Sequence, residues 1–151
     1  MRMHDEARAE LVAVRDLNRR IDALLAEQSK LRQRLFSLGG GGQSEPVSGT
    51  KESDLSGGVA KLVDMSREID DMIDEYVNER RRVKARIAAL GDVRFELVLH
   101  YHYLIGLPLF HVAERLHYGY GWTRDLHGEA LAAYDAAFFA PKTQQQTQTD
   151  N

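Results

Sequence analysis

A cluster of cations carries one clear chemical signal in this chain. The segment "ERRRVKAR" places five basic side chains within about two helical turns, namely Arg80, Arg81, Arg82, Lys84 and Arg86. Such a row can neutralise several phosphates of a duplex without reading its sequence. An equally weighted alternative is a solvated helix face whose arginines pair with acids of their own helix about one turn away.

A second group of candidate side chains follows a break near the C-terminus. In "AERLHYGYGWTRDLHGEAL" a short amphipathic helix stops at "HYGYG", and helical spacing then resumes. Ala113 supplies the small residue that two steeply crossing helices need, while Leu126 and Leu131 can pack the second helix. This pattern predicts a helix-turn-helix whose second helix contacts DNA through Tyr120, Trp122, Thr123, Arg124 and His127. The alternative is a motif retained for packing, with Trp122 covering a small core.

The other polar residues do not assemble into a catalytic or metal-binding pattern. His100 and His102 are two apart and so lie on different faces of a helix, without a cysteine or carboxylate to complete a ligand set. Adjacent acids such as Asp70 and Asp71, on a long exposed helix, lack the buried pocket that shifts a carboxyl pKa. "GGGG" lacks the lysine and helix start of a phosphate loop. We expect no enzyme activity, no cofactor and no metal.

The chain divides into five segments that would position these residues. We predict an N-terminal coiled-coil helix over residues 1–38, a Gly/Ser-rich linker over 39–58, a second long helix over 59–91, a helix-turn-helix domain over 92–140 and a disordered tail over 141–151. The predicted fold class is therefore all-α, with two long coiled-coil-type helices followed by a C-terminal helix-turn-helix bundle.

Both long helices carry an apolar stripe that requires a partner helix. The stripe of the first helix contains Val14, Ile21 and Leu35, with Gln28 as a polar interruption. The stripe of the second helix has apolar residues at seven-residue spacing, supported by Ile73 and others; they are Leu62, Ile69, Tyr76, Val83 and Leu90. The two helices can pair within one chain, or between chains as a homo-oligomer. We expect a homo-oligomer.

Composition restricts the setting in which such a protein acts. The formal net charge is -3, so any basic surface must be local. There is no cysteine, and no apolar run approaches the length of a membrane span. The first residues turn charged where a signal peptide would be apolar. These features indicate a cytoplasmic protein of a bacterial host that does not enter a membrane.

Two C-terminal segments carry a more specific resemblance. "YLIGLPLFHVAERLHYGY" and "LHGEALAAY" resemble the C-terminal domain of the ArpU-like regulators, a family of phage and mobile-element proteins. The similarity continues upstream through "KLVDMSREIDDMIDEYV" and covers most of the chain except the tail. The helix-turn-helix of that family resembles the promoter-reading domain of sigma factors. The resemblance implies a sequence-specific protein that binds double-stranded DNA and regulates transcription in a prophage or integrated element.

The chain departs from the family pattern at three positions. Gly121 and Asp125 stand where family members commonly carry arginine, and Pro108 stands where a serine or threonine cap is common. Arginine matters there because its planar guanidinium can bridge guanine edges or hold phosphates, and Arg124 is the one cation left. A second hypothesis is therefore an assembly or interaction factor, such as a partner of RNA polymerase or of a phage packaging complex. A small packaging-terminase-type subunit, expected as a ring, is a third.

Overall fold

The computed structural model describes residues 4–40 and 50–139, and these residues are helical almost throughout. They form α1 (Asp5–Gly40), α2 (Thr50–Ala89), α3 (Val93–Leu99), a π-helical segment (His100–Ile105), α4 (Leu109–Leu116) and α5 (Tyr120–Phe138). No strand occurs among the described residues. The predicted all-α fold class is confirmed.

The second long helix begins earlier than the composition of its first turns predicts. α2 starts at Thr50, whereas the Gly/Ser content of residues 39–58 predicted a linker as far as residue 58. A Cβ atom at Gly58 would clash with the Leu35 side chain, so α2 passes very close to α1 there. Tertiary packing of this kind overrides weak helix propensity. Residues 41–49 of the predicted linker and the predicted tail, 141–151, lie outside the described residues.

Residues 14–81 form one of two compact units, in which α1 and α2 run antiparallel. Gln28 Nε2 donates a 2.7 Å hydrogen bond to Ser66 Oγ, and Leu35 packs beside Gly58, so the two helices pair within one chain. The predicted stripes supply the buried residues of this pair, among them Val14, Ile21, Leu35, Met65 and Ile69. Ile73 is a correction, because 37% of it is exposed, beside the buried stripe rather than within it.

The other unit combines residues 4–13 with residues 82–139. α3, α4 and α5 enclose a small core of Val98, Val112 and Leu126, against which Phe95 and Leu116 pack. This three-helix arrangement holds α4 and α5 at a fixed mutual angle. It is the part of the chain that positions the predicted DNA-contacting residues.

Glycine and aspartate set the helix boundaries of this unit where the sequence predicts them. Gly91 follows α2 with a left-handed φ of 72°, and Asp92 caps α3 by accepting hydrogen bonds from the backbone N–H groups of Arg94 and Phe95. Gly106 ends the π-helical segment with a φ of 91°, a conformation that glycine adopts without strain. Two turns therefore lie at "LGD" and "GLP", one on each side of α3 and the π-helical segment.

Candidate nucleic-acid interface

α4 and α5 form a helix-turn-helix through a turn of three residues. α4 ends at His117, which adopts a left-handed conformation, and the Tyr118 N–H donates a 2.9 Å hydrogen bond to the Ala113 carbonyl. Ala113 is buried at the place predicted for a small residue between crossing helices. Gly119 precedes α5 without a side-chain cap, so the first N–H groups of α5 remain available to an acceptor.

The start of α5 presents aromatic and cationic side chains to solvent. Tyr120 and Trp122 are each 48% exposed, and Arg124 is exposed beside them. The Arg124 guanidinium lies 5.8 Å from the Tyr120 ring centroid, and Tyr120 also contacts the exposed Phe110 ring of α4 at 6.0 Å. We call Phe110, Tyr120, Trp122 and Arg124 the reading edge. These residue types can stack on bases or sugars and bind phosphate or guanine.

The outward face of α5 beyond the reading edge is small and acidic. Gly121, Asp125, Gly128 and Glu129 are all exposed on it. Nothing lies within 4 Å of a Cβ atom built on Gly121 or Gly128, so both positions are open. Arg124 therefore shares the exposed side of α5 with two carboxylates, and an anion approaching this face meets net negative charge.

Two of the predicted DNA-contacting residues lie in the interior instead. Thr123 is fully buried and its hydroxyl donates a 3.0 Å hydrogen bond to the Gly119 carbonyl. His127 is 8% exposed, and its Nε2 shares a 2.7 Å hydrogen bond with the hydroxyl of the buried Tyr103. The two are four residues apart and so share the inward face of α5 with Leu126. The structure removes Thr123 and His127 from the candidate DNA-contacting set.

The arginine run is divided by its contacts. Arg86 Nη1 donates hydrogen bonds of 2.9 and 2.7 Å to the two carboxylate oxygens of Glu10 on α1, and Arg82 Nη1 lies 3.1 Å from the same carboxylate. The Glu10 side chain is only 9% exposed. Arg86 therefore has a structural role. Arg82 and Arg86 both pair with Glu10, which belongs to another helix. Arg81 and Lys84 are exposed, and Arg80 is half-buried.

Arg86 also lies far from the reading edge. Its guanidinium sits 4.9 Å from the Phe138 ring centroid and 5.7 Å from that of Phe139, at the C-terminal end of α5. α5 has 19 residues, so this end is about 27 Å from Tyr120 along the helix axis. Arg86 and the reading edge therefore do not form one compact site.

Tyr134 lies beside this ion pair and is fully buried. Its hydroxyl faces the Arg86 and Glu10 side chains. Burial raises the pKa of Tyr134 to about 12, and the Glu10 charge acts in the same direction, whereas Arg86 opposes it. The phenol therefore stays neutral under all physiological conditions.

The structure adds two exposed arginines that the sequence pattern did not single out. Arg115 lies on the solvent side of α4, the first helix of the helix-turn-helix. Arg94 lies at the start of α3, 3.2 Å from Asp92, and holds the pKa of the Asp92 carboxyl below its usual value through a side-chain hydrogen bond. The sequence signal for Arg115 is its place in "AERLHY", two residues before the break that begins at His117.

Within residues 4–40 and 50–139, no three His, Cys, Asp or Glu side chains converge as metal ligands. None of the helices in this part of the chain combines the length and apolar character that crossing a membrane requires. Comparisons of the chain with protein-family models, with curated proteins and with solved structures found no match.

Proposed function

We propose that this protein is a DNA-binding transcriptional regulator of a prophage or mobile element, which reads double-stranded DNA with the start of α5. The observation that carries the proposal is the reading edge, where an arginine and two aromatic rings are exposed at the N-terminal end of the second helix of a helix-turn-helix, beside the exposed Phe110 of the first. The N-terminal residues of such a helix are the ones that contact base edges in the major groove. The resemblance of "LHGEALAAY" and the preceding segment to the ArpU-like regulators supports the same function.

In this mechanism the roles divide between base and phosphate contacts. Arg124 donates to guanine or phosphate oxygens from the first turns of α5, and Tyr120 and Trp122 contact the sugar and thymine methyl surfaces beside it. Arg115 on α4 holds a phosphate where that helix crosses the backbone. Arg81 and Lys84 of α2 supply attraction that does not depend on sequence. The protein acts in the bacterial cytoplasm as a homo-oligomer whose two copies read two half-sites.

A second candidate function is favoured by the charge of α5. Asp125 and Glu129 repel phosphate, while the exposed rings of Phe110, Tyr120 and Trp122 are residue types enriched in protein interfaces. A protein-interaction factor, for example a partner of RNA polymerase or a subunit of a phage packaging complex, would use the same edge without reading bases. The terminase-type alternative differs further in forming a ring.

The discriminating experiment is selection of fragments of the source genome by the purified protein. Selection at about 0.2 M salt weakens purely ionic attachment. We expect one fragment to be enriched, and we expect Arg124→Ala to lose about 1–3 kcal/mol of discrimination at the contacted base. Arg115→Ala should weaken binding to all fragments about equally, because a phosphate contact carries no sequence information.

The matched control is Arg20→Ala, which removes one exposed arginine from α1 in the other compact unit. It should bind the enriched fragment as the wild type does. Enrichment of no fragment, or enrichment that Arg124→Ala leaves unchanged, would contradict DNA reading by α5. Those results would favour the protein-interaction function, and the exposed rings would become the residues to mutate.

A further inference from the structure

A row of exposed apolar residues remains on α2 after it has paired with α1. Val59, Val63, Ile73 and Val77 are between 37% and 49% exposed. They recur at the three- and four-residue steps of a helical seam that also passes through Ser66 and Asp70. This seam lies roughly a quarter-turn around the helix from the buried stripe of Met65 and Ile69. We call these six residues the α2 seam.

The α2 seam is symmetric along the chain. Val63 and Ile73 lie five residues on either side of position 68, and Val59 and Val77 lie nine residues on either side. An antiparallel copy of α2, related by a two-fold axis at position 68, therefore sets each apolar residue opposite another apolar residue. Ser66 falls opposite Asp70 of the second copy. Such an isologous surface is self-complementary by construction.

The charges that flank the seam agree with the same pairing. Arg67 and Asp74 are exposed on the side of the seam that faces away from α1, seven residues apart. Side chains on a helix lean towards its N-terminus, so in the antiparallel pair Arg67 of one copy and Asp74 of the other lean towards each other. The symmetry produces two such contacts. At the polar centre, Ser66 accepts from Gln28 and keeps its own proton to donate to Asp70 of the second copy.

α1 carries a matching face at the same level. Leu25 and Phe36 are 42% and 81% exposed. Because α1 and α2 are antiparallel right-handed helices, these two residues lie on the same face of the hairpin as the α2 seam. The Gln28–Ser66 and Leu35–Gly58 contacts set α1 residues 25 and 26 about level with position 68.

We propose that the α1–α2 hairpin binds the hairpin of a second copy of this chain, so that two chains form an antiparallel four-helix bundle about a two-fold axis at the level of position 68. Viewed along α2, the buried stripe that contacts α1 and the α2 seam that would contact the second copy are about a quarter-turn apart. Each helix of a four-helix bundle contacts its two neighbours at about this angle. The inference specifies the homo-oligomer of the proposed function and does not depend on DNA reading.

The test is the molecular mass and dissociation constant of the full chain in solution, measured by sedimentation. The wild type should have twice the chain mass of 17.1 kDa. R67D sets like charges opposite each other at both symmetric contacts, and so does D74R. Each variant should raise the dimer dissociation constant by about tenfold or more. The double variant R67D/D74R should return it to near the wild-type value.

Mixing the two single variants isolates the contact between chains. An R67D chain carries acids at both positions and a D74R chain carries bases at both, so an equimolar mixture should form a mixed dimer with both contacts restored. Asp71→Arg is the matched control, since Asp71 is exposed on α2 outside the seam, and it should leave the dissociation constant unchanged. Circular dichroism of each variant should show the helix content of the wild type.

Several results would overturn this inference. The first is a wild type that is monomeric at about 100 μM, which is far above the dissociation constants of specific dimers; the second is a trimer or larger ring. The third is single variants whose dimer dissociation constants are no higher than that of the Asp71→Arg control. The fourth is a mixture of the two single variants that fails to associate. A monomer that still enriches one DNA fragment would overturn the inference alone and leave the proposed function standing. A dimer that enriches no fragment would do the reverse.

Discussion

Glu10 holds the N-terminus of α1 in place, and replacing it with alanine tests how much this contact contributes. Hydrogen bonds to a charged group contribute about 1.5–3 kcal/mol, and breaking a fully buried ion pair costs about 3–5 kcal/mol. The Glu10 side chain is 9% exposed but its partner Arg86 is 28% exposed. The contact therefore falls between these cases, and we expect Glu10→Ala to lower the free energy of unfolding by about 2–3 kcal/mol.

The two arginines that share Glu10 should differ in a predictable way. Arg86 donates to both carboxylate oxygens and lies over the Phe138 ring, so Arg86→Ala should cost about 3 kcal/mol, of which about 0.5–1 is the cation–π contact. The Arg82 side chain is 47% exposed, and Arg82→Ala should cost at most about 1 kcal/mol. Arg82→Ala is thus the internal control for removing a guanidinium from this helix.

Urea unfolding monitored by the fluorescence of Trp122 provides the measurement. Trp122 is the one tryptophan of the chain and lies in the same compact unit as Glu10 and Arg86. A double-mutant cycle should give a coupling of about 1.5–2 kcal/mol between Glu10 and Arg86 and less than about 0.5 kcal/mol between Glu10 and Arg82. A loss below about 0.5 kcal/mol in Glu10→Ala, or equal couplings to the two arginines, would refute the assignment of Arg86 as a structural residue.

Three further substitutions test the remaining polar groups. Tyr134→Phe should remove a loss of stability that the wild type shows as the pH rises through 10 towards the folded pKa of about 12, because burial keeps the phenol neutral in the folded state; equal alkaline profiles of the two proteins would contradict this. Asp92→Ala should lower the melting temperature. It should also abolish the part of the wild-type stability that is lost as the pH falls below 3.8, since the pKa of this capping carboxyl is lowered in the folded state. Equal acid dependence of stability in the wild type and the variant would contradict this. Ser66→Ala should cost about 1 kcal/mol by leaving the Gln28 amide unpaired, and adding Gln28→Leu should recover it in urea unfolding.

The helices and their buried stripes could be predicted because the sequence repeats them many times. Val14, Ile21 and Leu35 are seven or fourteen residues apart, and such a pattern has one helical interpretation. The start of α2 could not be predicted in this way. Gly57 and Gly58 are typical of a linker, and only the proximity of Leu35 explains why Gly58 suits a helix there. Contacts between residues distant in sequence decide such boundaries.

The candidate site was predictable only in its location. The break at "HYGYG" and the small Ala113 place the helix-turn-helix correctly, but the inward turn of Thr123 and His127 depends on the rotation of α5 against its core. The fate of Arg86 depends on Glu10, 76 residues away in sequence. A run of cations looks uniform in sequence, and its members acquire different roles only when the fold supplies partners.

Trp122 fluorescence also provides the most direct test of DNA reading by α5. The enriched fragment and a scrambled duplex of equal length are titrated into the wild type at about 0.2 M salt, where purely ionic attachment is weak. Because Trp122 is exposed on the reading edge and is the one tryptophan, we predict that the enriched duplex alone changes its emission. Binding that leaves the emission unchanged, or an equal response to both duplexes, would contradict the account.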